Sequence, residues 1–168
     1  MLVVMGVSGS GKSTIAAQIA GRIGAIYIDG DDLHPRENVE KMRSGTPLTD
    51  DDRWPWLDRV AAALMECRGK REGVVLACSA LRRAYRDRLR QGADATLRFV
   101  FLDASFEVID ARLAKRIHHF MPEALLKSQF ATLERPGSDE PDVHTVSVDQ
   151  TPEAVTAQVV GWLAAGES

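Results

Sequence analysis

Cysteine is scarce in this chain. Its 168 residues include two cysteines, Cys67 and Cys78, and neither belongs to a C-x-x-C pair. Zinc sites and the disulfide frameworks of small secreted domains need several cysteines at short spacings. We therefore expect no zinc site and no disulfide framework. Both cysteines are expected to be reduced thiols, with Cys78 buried.

The sequence also lacks an excess of positive charge and any long apolar run. Its 21 Lys and Arg residues are outnumbered by 24 Asp and Glu residues, which gives a net charge of −3. Nucleic-acid binding normally depends on a basic excess that neutralises phosphates, so such a partner is disfavoured.

No apolar stretch reaches the length of a membrane span, and the apolar run at the start is too short for a signal-peptide core. We expect a cytoplasmic protein that binds neither nucleic acid nor membranes.

What the sequence does contain is an alternation of short apolar runs with helical patterns. With 45% hydrophobic residues, a chain of this length fits one domain, which we place at 1–168. Apolar, largely β-branched runs predict strands at 2–5, 25–28, 73–78, 97–102 and 144–148. Helical spacing falls at 12–22, 54–68, 81–90, 105–117, 122–133 and 152–164. This order predicts a three-layer α/β domain with helices on both faces of a parallel sheet.

The segment between the first strand and the first helix predicts a phosphate-binding loop. It reads "GVSGSGKS" and fits G-x-x-x-x-G-K-[ST] at every position. Small residues let backbone N–H groups close around phosphate oxygens at the positive end of a helix. Lys12 should reach the β- and γ-phosphates of ATP, and the Ser13 hydroxyl should bind Mg²⁺. The predicted nucleotide-binding residues are Gly6, Val7, Ser8, Gly9, Ser10, Gly11, Lys12, Ser13 and Thr14. The alternative is a glycine-rich turn that binds no ligand.

The sequence lacks motifs that other classes of nucleotide-binding protein, the GTPase switches and the motor ATPases, would carry. The lone asparagine, Asn38, does not begin an Asn-Lys-x-Asp sequence, and no aspartate has a glycine three residues later. A GTPase switch would need both patterns. The strand at 73–78 ends in "CSALRR" and not in the acidic pair of a motor ATPase. These absences favour a kinase.

An acidic segment follows the second predicted strand. Asp29 and Asp31 should emerge at the carboxyl edge of the sheet, where the phosphate loop also lies. One carboxylate there can hold Mg²⁺, and another can accept the proton of a substrate hydroxyl. The alternative is an ordinary turn, and for Asp32 we prefer the role of a helix cap.

Several motifs together resemble the gluconokinase family, small ATP-dependent kinases of the nucleoside-monophosphate and shikimate kinase superfamily. The resemblance runs in order from about residue 3 to 150 and rests on "GVSGSGKST", "DGDDLHP", "NVEKMRSGTPLTDDDRWPWL", "CSALRRAYRDRLR", "RLAKRIHHFMP" and "SQFATLERPGSDE". It implies transfer of the ATP γ-phosphoryl group to the 6-hydroxyl of D-gluconate. It also implies a P-loop NTPase fold with a five-stranded parallel core, a lid at about 117–142, and a homodimer.

The resemblance also implies roles for acceptor-site residues. Asp31 would meet the substrate hydroxyl, Asp29 would support Mg²⁺ with Ser13, and His34 would contact the polyhydroxy acid. Arg53 resembles the arginine that related kinases place on a substrate carboxylate, for which its planar fork is suited. Two alternatives stay open: His34 could cap the following helix, and Arg53 could form a surface ion pair with Asp50 or Asp51.

Further residues are assigned by the same resemblance. Ser79 and Arg83, which follow the central strand, are carried over as substrate-binding residues, with a solvated helical face as the alternative for Arg83. Arg112 would contact the nucleotide, and Arg116 would stabilise charge in the transition state. The family typically reads Gly-His-Phe where this chain has His118-His119-Phe120, so the lid hinge is expected to differ. A kinase of the same fold for shikimate or a nucleoside monophosphate, and a non-catalytic nucleotide-binding regulator, remain the competing interpretations.

Overall fold

A five-stranded, all-parallel sheet forms the centre of the protein. The computed structural model describes residues 1–69, 73–93, 97–115 and 123–166. The strand order in the sheet is β2-β3-β1-β4-β5. The strands are β1 (Leu2–Met5), β2 (Ile26–Asp29), β3 (Val74–Ala77), β4 (Arg98–Asp103) and β5 (Val143–Ser147). The predicted α/β class with a five-stranded parallel sheet is confirmed.

Seven helices are present in the described residues, one more than the sequence predicted. They are α1 (Lys12–Ile23), α2 (Arg36–Arg43), α3 (Asp50–Gly69), α4 (Arg83–Ala93), α5 (Phe106–Ala114), α6 (Glu123–Thr132) and α7 (Pro152–Ala165). The added helix is α2, whose sequence RENVEKMR carries few apolar residues, so helical spacing did not mark it, although the alternative role of His34 as a helix cap presupposed a helix there. Helix α3 begins four residues before the predicted start, because Thr49 and Asp52 bond to each other's backbone N–H as a capping pair. None of these helices is long and apolar enough to cross a membrane.

Helices cover both faces of the sheet, so the core has two halves. On one face α1 and α7 bury Ile15, Ile19 and Val159 against Val4. On the other face α3 and α4 pack against alternate strand residues such as Phe99. The three predicted layers are therefore present. This arrangement leaves the carboxyl ends of the strands uncovered by these helix pairs, and the loops there form the site.

Both cysteines are free thiols and Cys78 is buried, as predicted, and Cys67 is buried as well. Cys67 packs in the α3–α4 half of the core, and Cys78 directly follows β3. Burial raises the pKa of the Cys78 thiol to about 12. Cys78 therefore behaves as a small apolar side chain at neutral pH and carries no charge beside the site.

The acidic segment after β2 lies directly against the end of β3. Asp29 pairs with Ala77 in the parallel ladder. At the next residue, Gly30, a Cβ atom would come within 2.5 Å of the Ala77 carbonyl oxygen. Backbone oxygen cannot move aside as a flexible side chain can, so only glycine fits there without a shift of the chain. This close approach fixes the short 3₁₀ turn Gly30–Leu33 at the carboxyl edge of the sheet.

A buried ion pair anchors the segment that follows α6. Arg86 and Glu140, both almost fully buried, meet through two hydrogen bonds of 2.7 and 2.5 Å. A third donor of Arg86 reaches the carbonyl oxygen of Glu134 at 3.1 Å. The Arg90 guanidinium adds a 2.8 Å bond to Glu140. Residues 134–140, part of the expected lid, are thus attached to α4 of the core.

We expect Glu140→Gln to destabilise the fold strongly. The substitution keeps side-chain shape but leaves the buried Arg86 cation without its counter-charge, which typically costs about 3–5 kcal/mol. The measurement is the free energy of unfolding in urea. Glu123→Gln, which breaks an exposed pair with Lys127, is the matched control and should leave the urea midpoint nearly unchanged. A loss below about 1 kcal/mol in Glu140→Gln would show that this pair does not anchor the segment.

Candidate functional site

The phosphate loop has a conformation that needs its glycines. Gly9 and Gly11 have φ values of 82° and 96°, in the left-handed region. A Cβ on Gly9 would also lie 3.1 Å from side-chain atoms of Ile109 and Leu113. Helix α1 begins immediately afterwards at Lys12, and no side chain caps its first turn. The N–H groups of this first turn are therefore left available to an anion, as a phosphate cradle requires.

Two predicted metal ligands meet beside this loop. The Ser13 hydroxyl donates to Asp29 Oδ2 at 3.0 Å, and Tyr27 OH donates to the same oxygen at 2.9 Å. The other carboxylate oxygen of Asp29 accepts from the Asp31 N–H at 3.1 Å. Hydroxyl and carboxylate oxygens are the ligands that Mg²⁺ prefers, so this pair fits a magnesium site. Tyr27 was missed, because a strand residue gives no such signal in the sequence.

One cavity of about 270 Å³ collects most of the predicted acceptor-site residues. Lys12 of the phosphate loop opens onto it, and its Nζ donates to the Val7 carbonyl oxygen at 3.0 Å. The predicted residues that line it are Ser8, Lys12, Asp31, His34, Arg53 and Ser79. The cavity is also lined by residues that were not assigned to the site from sequence: Met42, Thr46, Pro47, Leu48, Trp56, Leu81, Leu113, Leu125, Ser128 and Gln129. Most of these residues belong to the motifs quoted above, yet the motifs alone gave no reason to assign them, because α2, the loop after it and α6 reach the cavity only through tertiary packing.

The His34 ring is held in one orientation. It stacks on Trp56 with ring centroids 4.1 Å apart, and its Nδ1 lies 3.3 Å from Asn38 Nδ2. The same Asn38 amide nitrogen donates to the Asp52 carbonyl oxygen at 2.8 Å, which fixes it as the NH₂ end. His34 Nδ1 must then accept, so the ring proton sits on Nε2. Burial lowers the pKa of His34, which keeps the ring neutral near pH 7. The neutral ring thus keeps an N–H donor at Nε2, His34 lines the cavity, and its side chain does not cap α2.

Arg53 is held by two neighbours at the cavity wall. Its guanidinium donates to Tyr85 OH at 3.2 Å and lies 3.7 Å from Asp50. Tyr85 OH in turn donates to Asp50, and Arg82 binds the same carboxylate at 2.6 Å. Burial, followed by the bond to Asp50, raises the pKa of Tyr85 to about 12. Because Arg82 already satisfies Asp50, the Arg53 side chain, 14% exposed, retains donors for a ligand anion.

The remaining predicted residues lie elsewhere. Arg83 points away from the cavity and binds Asp139, while its N–H donates to the Glu134 carboxylate at 2.7 Å. The structure therefore does not bring Arg83 to the acceptor site, because α4 turns this side chain toward the segment after α6. Arg112 donates to the Val148 carbonyl oxygen and lines a second cavity of about 380 Å³ that Gly9, Gly11 and Thr14 also line. Arg116 and His118 lie outside the described residues.

Comparison with known proteins places this site in a family. A family model described as an AAA domain matches residues 1–136. The thermoresistant gluconokinase of Escherichia coli (strain K12) is 46% identical over 165 residues, covering 98% of this chain and 94% of the relative. A gluconokinase of Gluconobacter oxydans (strain 621H) is 50% identical over 159 residues, or 95% and 88% of the two chains.

A solved structure supports the same assignment. The crystal structure of a gluconokinase from Sinorhizobium meliloti 1021 superposes with a TM-score of 0.86 at 49% sequence identity. The match covers 97% of this chain and 90% of that one. Together with the phosphate loop and the polar cavity beside it, these likenesses show that the chain belongs to the gluconokinase family of P-loop kinases.

Proposed function

We propose that the protein transfers the γ-phosphoryl group of ATP to the 6-hydroxyl of D-gluconate, forming 6-phospho-D-gluconate and ADP. The observation that carries this proposal is the 270 Å³ cavity, which joins Lys12 of the phosphate loop to Asp31, His34 and Arg53. A carboxylate, a neutral ring donor and a guanidinium suit the three chemical features of gluconate: a reacting hydroxyl, a polyol chain and a carboxylate.

The proposed reaction is a direct phosphoryl transfer, in which the protein forms no covalent bond to either substrate. The gluconate O6–H bond gives its proton to the Asp31 carboxylate as O6 bonds to the γ-phosphorus. The bond from that phosphorus to the bridging oxygen breaks, and ADP leaves with the electron pair. Lys12 stabilises charge on the phosphoryl oxygens, which is the main task in a loose transition state.

Magnesium and the nucleotide belong to the proposal. Ser13 and Asp29 would hold Mg²⁺, which when bound neutralises phosphate charge. Arg112 would contact the nucleotide, and Arg116 would stabilise the transferred group. A lid within 117–142 and a homodimer complete the proposal. Glu134 and Glu140 are attached to Arg86 of α4, which supports a lid whose C-terminal end stays fixed to the core.

An acceptor screen tests the function directly. ADP release should be measured with D-gluconate, related aldonates, shikimate and nucleoside monophosphates at fixed ATP. We expect D-gluconate to give the highest kcat/KM. Preference for shikimate or a monophosphate would replace the acceptor, while ATP binding without turnover on any acceptor would favour a regulator.

We expect Arg53→Lys to raise the KM for gluconate about tenfold or more while changing the KM for ATP much less. Lysine keeps the charge but loses the planar fork, and a hydrogen bond to a charged group is typically worth about 1.5–3 kcal/mol. Steady-state kinetics with each substrate varied measures both constants. Arg88→Lys, on an exposed arginine paired with Asp58, is the control. Equal changes in the two KM values would remove Arg53 from the acceptor site.

A further inference from the structure

Helix α6 contacts the phosphate loop through one side chain. Gln129 Oε1 accepts a hydrogen bond of 2.7 Å from the Ser8 backbone N–H. Ser8 lies within the loop, two residues after Gly6, and both Ser8 and Gln129 line the 270 Å³ cavity. The contact joins residues 121 positions apart. It stands at the boundary between the phosphate loop and the acceptor cavity.

This contact fixes which way the carboxamide faces. A backbone N–H can only donate, so the oxygen of Gln129 must occupy that position and the NH₂ group the other. Within residues 1–69, 73–93, 97–115 and 123–166, no protein group accepts a hydrogen bond from Gln129 Nε2. Two strong donors are thus left without a protein acceptor on a cavity-lining side chain. Because Gln129 lines the cavity, these N–H groups are available to an oxygen atom of a bound ligand.

Helix α6 is a firm support for this side chain. Leu126 is 1% exposed and packs with Val7 of the phosphate loop and with Leu81. Directly after the helix, the Glu134 N–H donates to the Leu81 carbonyl oxygen at 2.8 Å. The buried Arg86–Glu140 pair follows. Gln129 therefore projects from a packed helix, as a residue that must position a ligand requires.

We propose that Gln129 is an acceptor-binding and specificity-determining residue. Its Oε1 is held by the Ser8 N–H, and this orients Nε2 to donate to one hydroxyl oxygen of the acceptor. The proposal rests on the proposed function, because it assigns the chemical class of the ligand as a polyhydroxy acid. Gln129 would then contact both the phosphate loop and the acceptor. This shared contact would position the acceptor hydroxyl relative to the phosphoryl group that is transferred.

Two substitutions of Gln129 test this. Gln129→Met keeps length and volume but removes both the acceptor and the donors. Gln129→Glu keeps an acceptor for the Ser8 N–H and removes the donors. We expect both variants to raise the KM for gluconate about three- to tenfold, the effect of one lost neutral hydrogen bond. In Gln129→Met, which adds no charge beside the phosphate loop, the KM for ATP should change less than about twofold. A role confined to holding the loop predicts instead that Gln129→Glu stays near wild type, which would overturn the proposal.

Acceptor analogues give the second measurement. A series of gluconates lacking one hydroxyl each should contain one member for which wild type and Gln129→Met have equal KM values, because the contact is already gone. If the ratio of KM values between Gln129→Met and wild type is the same for every analogue, Gln129 does not bind a hydroxyl. Lys127→Gln, on the exposed side of the same helix, is the control.

The wild-type protein is assayed with gluconate first. Absence of gluconate turnover would refute the proposed function alone. The same KM ratios would then be measured with the acceptor found in the screen.

Discussion

Asp31→Asn should lower kcat by about 10²- to 10⁴-fold, the range for loss of a general base. The Asp31 side chain lines the acceptor cavity, and its carboxylate accepts no hydrogen bond from the described residues. It is therefore available to a substrate hydroxyl. Asparagine keeps the shape but cannot take the proton. A loose phosphoryl-transfer transition state needs little base, which moves the expected loss toward the lower end.

The measurement is kcat, both KM values, and the affinity for a non-hydrolysable ATP analogue, which should barely change. Asp32→Asn is the matched control, because Asp32 is the next residue, is exposed and does not line the cavity. If Asp31 were only a turn residue, the variant would lose some stability and keep near-normal turnover. A kcat within about threefold of wild type would assign Asp31 to the turn.

Lys12→Ala should reduce turnover by about 10²- to 10³-fold or more while the fold stays intact. The loss of one preorganised group that stabilises developing charge typically has this size. Lys12 donates to the Val7 carbonyl oxygen from an only partly buried position, so its removal leaves no cavity in the core. Turnover is measured at saturating substrates, and the urea midpoint reports folding. Lys127→Ala is the control on an exposed lysine. Wild-type kcat in Lys12→Ala would refute the phosphate-loop assignment.

Features that depend on local sequence were predictable. The five strands are nearly continuous apolar runs, and the phosphate loop needs small residues at fixed spacing, so both were found with boundaries within one or two residues. Asp29 and Asp31 followed from the rule that parallel strands end at one edge. The start of α3 was missed although the pair Thr49 and Asp52 carries a capping signal.

Features that depend on distant contacts were not predictable from these patterns. Gln129 meets Ser8 only because α6 packs on the phosphate loop, and Tyr85 meets Arg53 only because α3 and α4 are neighbours. Arg83 was assigned to the acceptor by the family resemblance of its motif, yet its side chain on α4 binds Asp139. The direction of a side chain on a helix follows from tertiary packing, which no single local motif contains.

Because both cysteines are buried, the native protein should react very slowly with thiol reagents. Alkylating dyes react with thiolate, and a thiol with a pKa of about 12 supplies almost none near pH 7. Cys67 is only 8% exposed within the same core. A cysteine placed at the exposed Lys127 position would therefore react selectively, without removal of the native pair. Fluorescent labelling of α6 is thus practical in the otherwise unaltered chain.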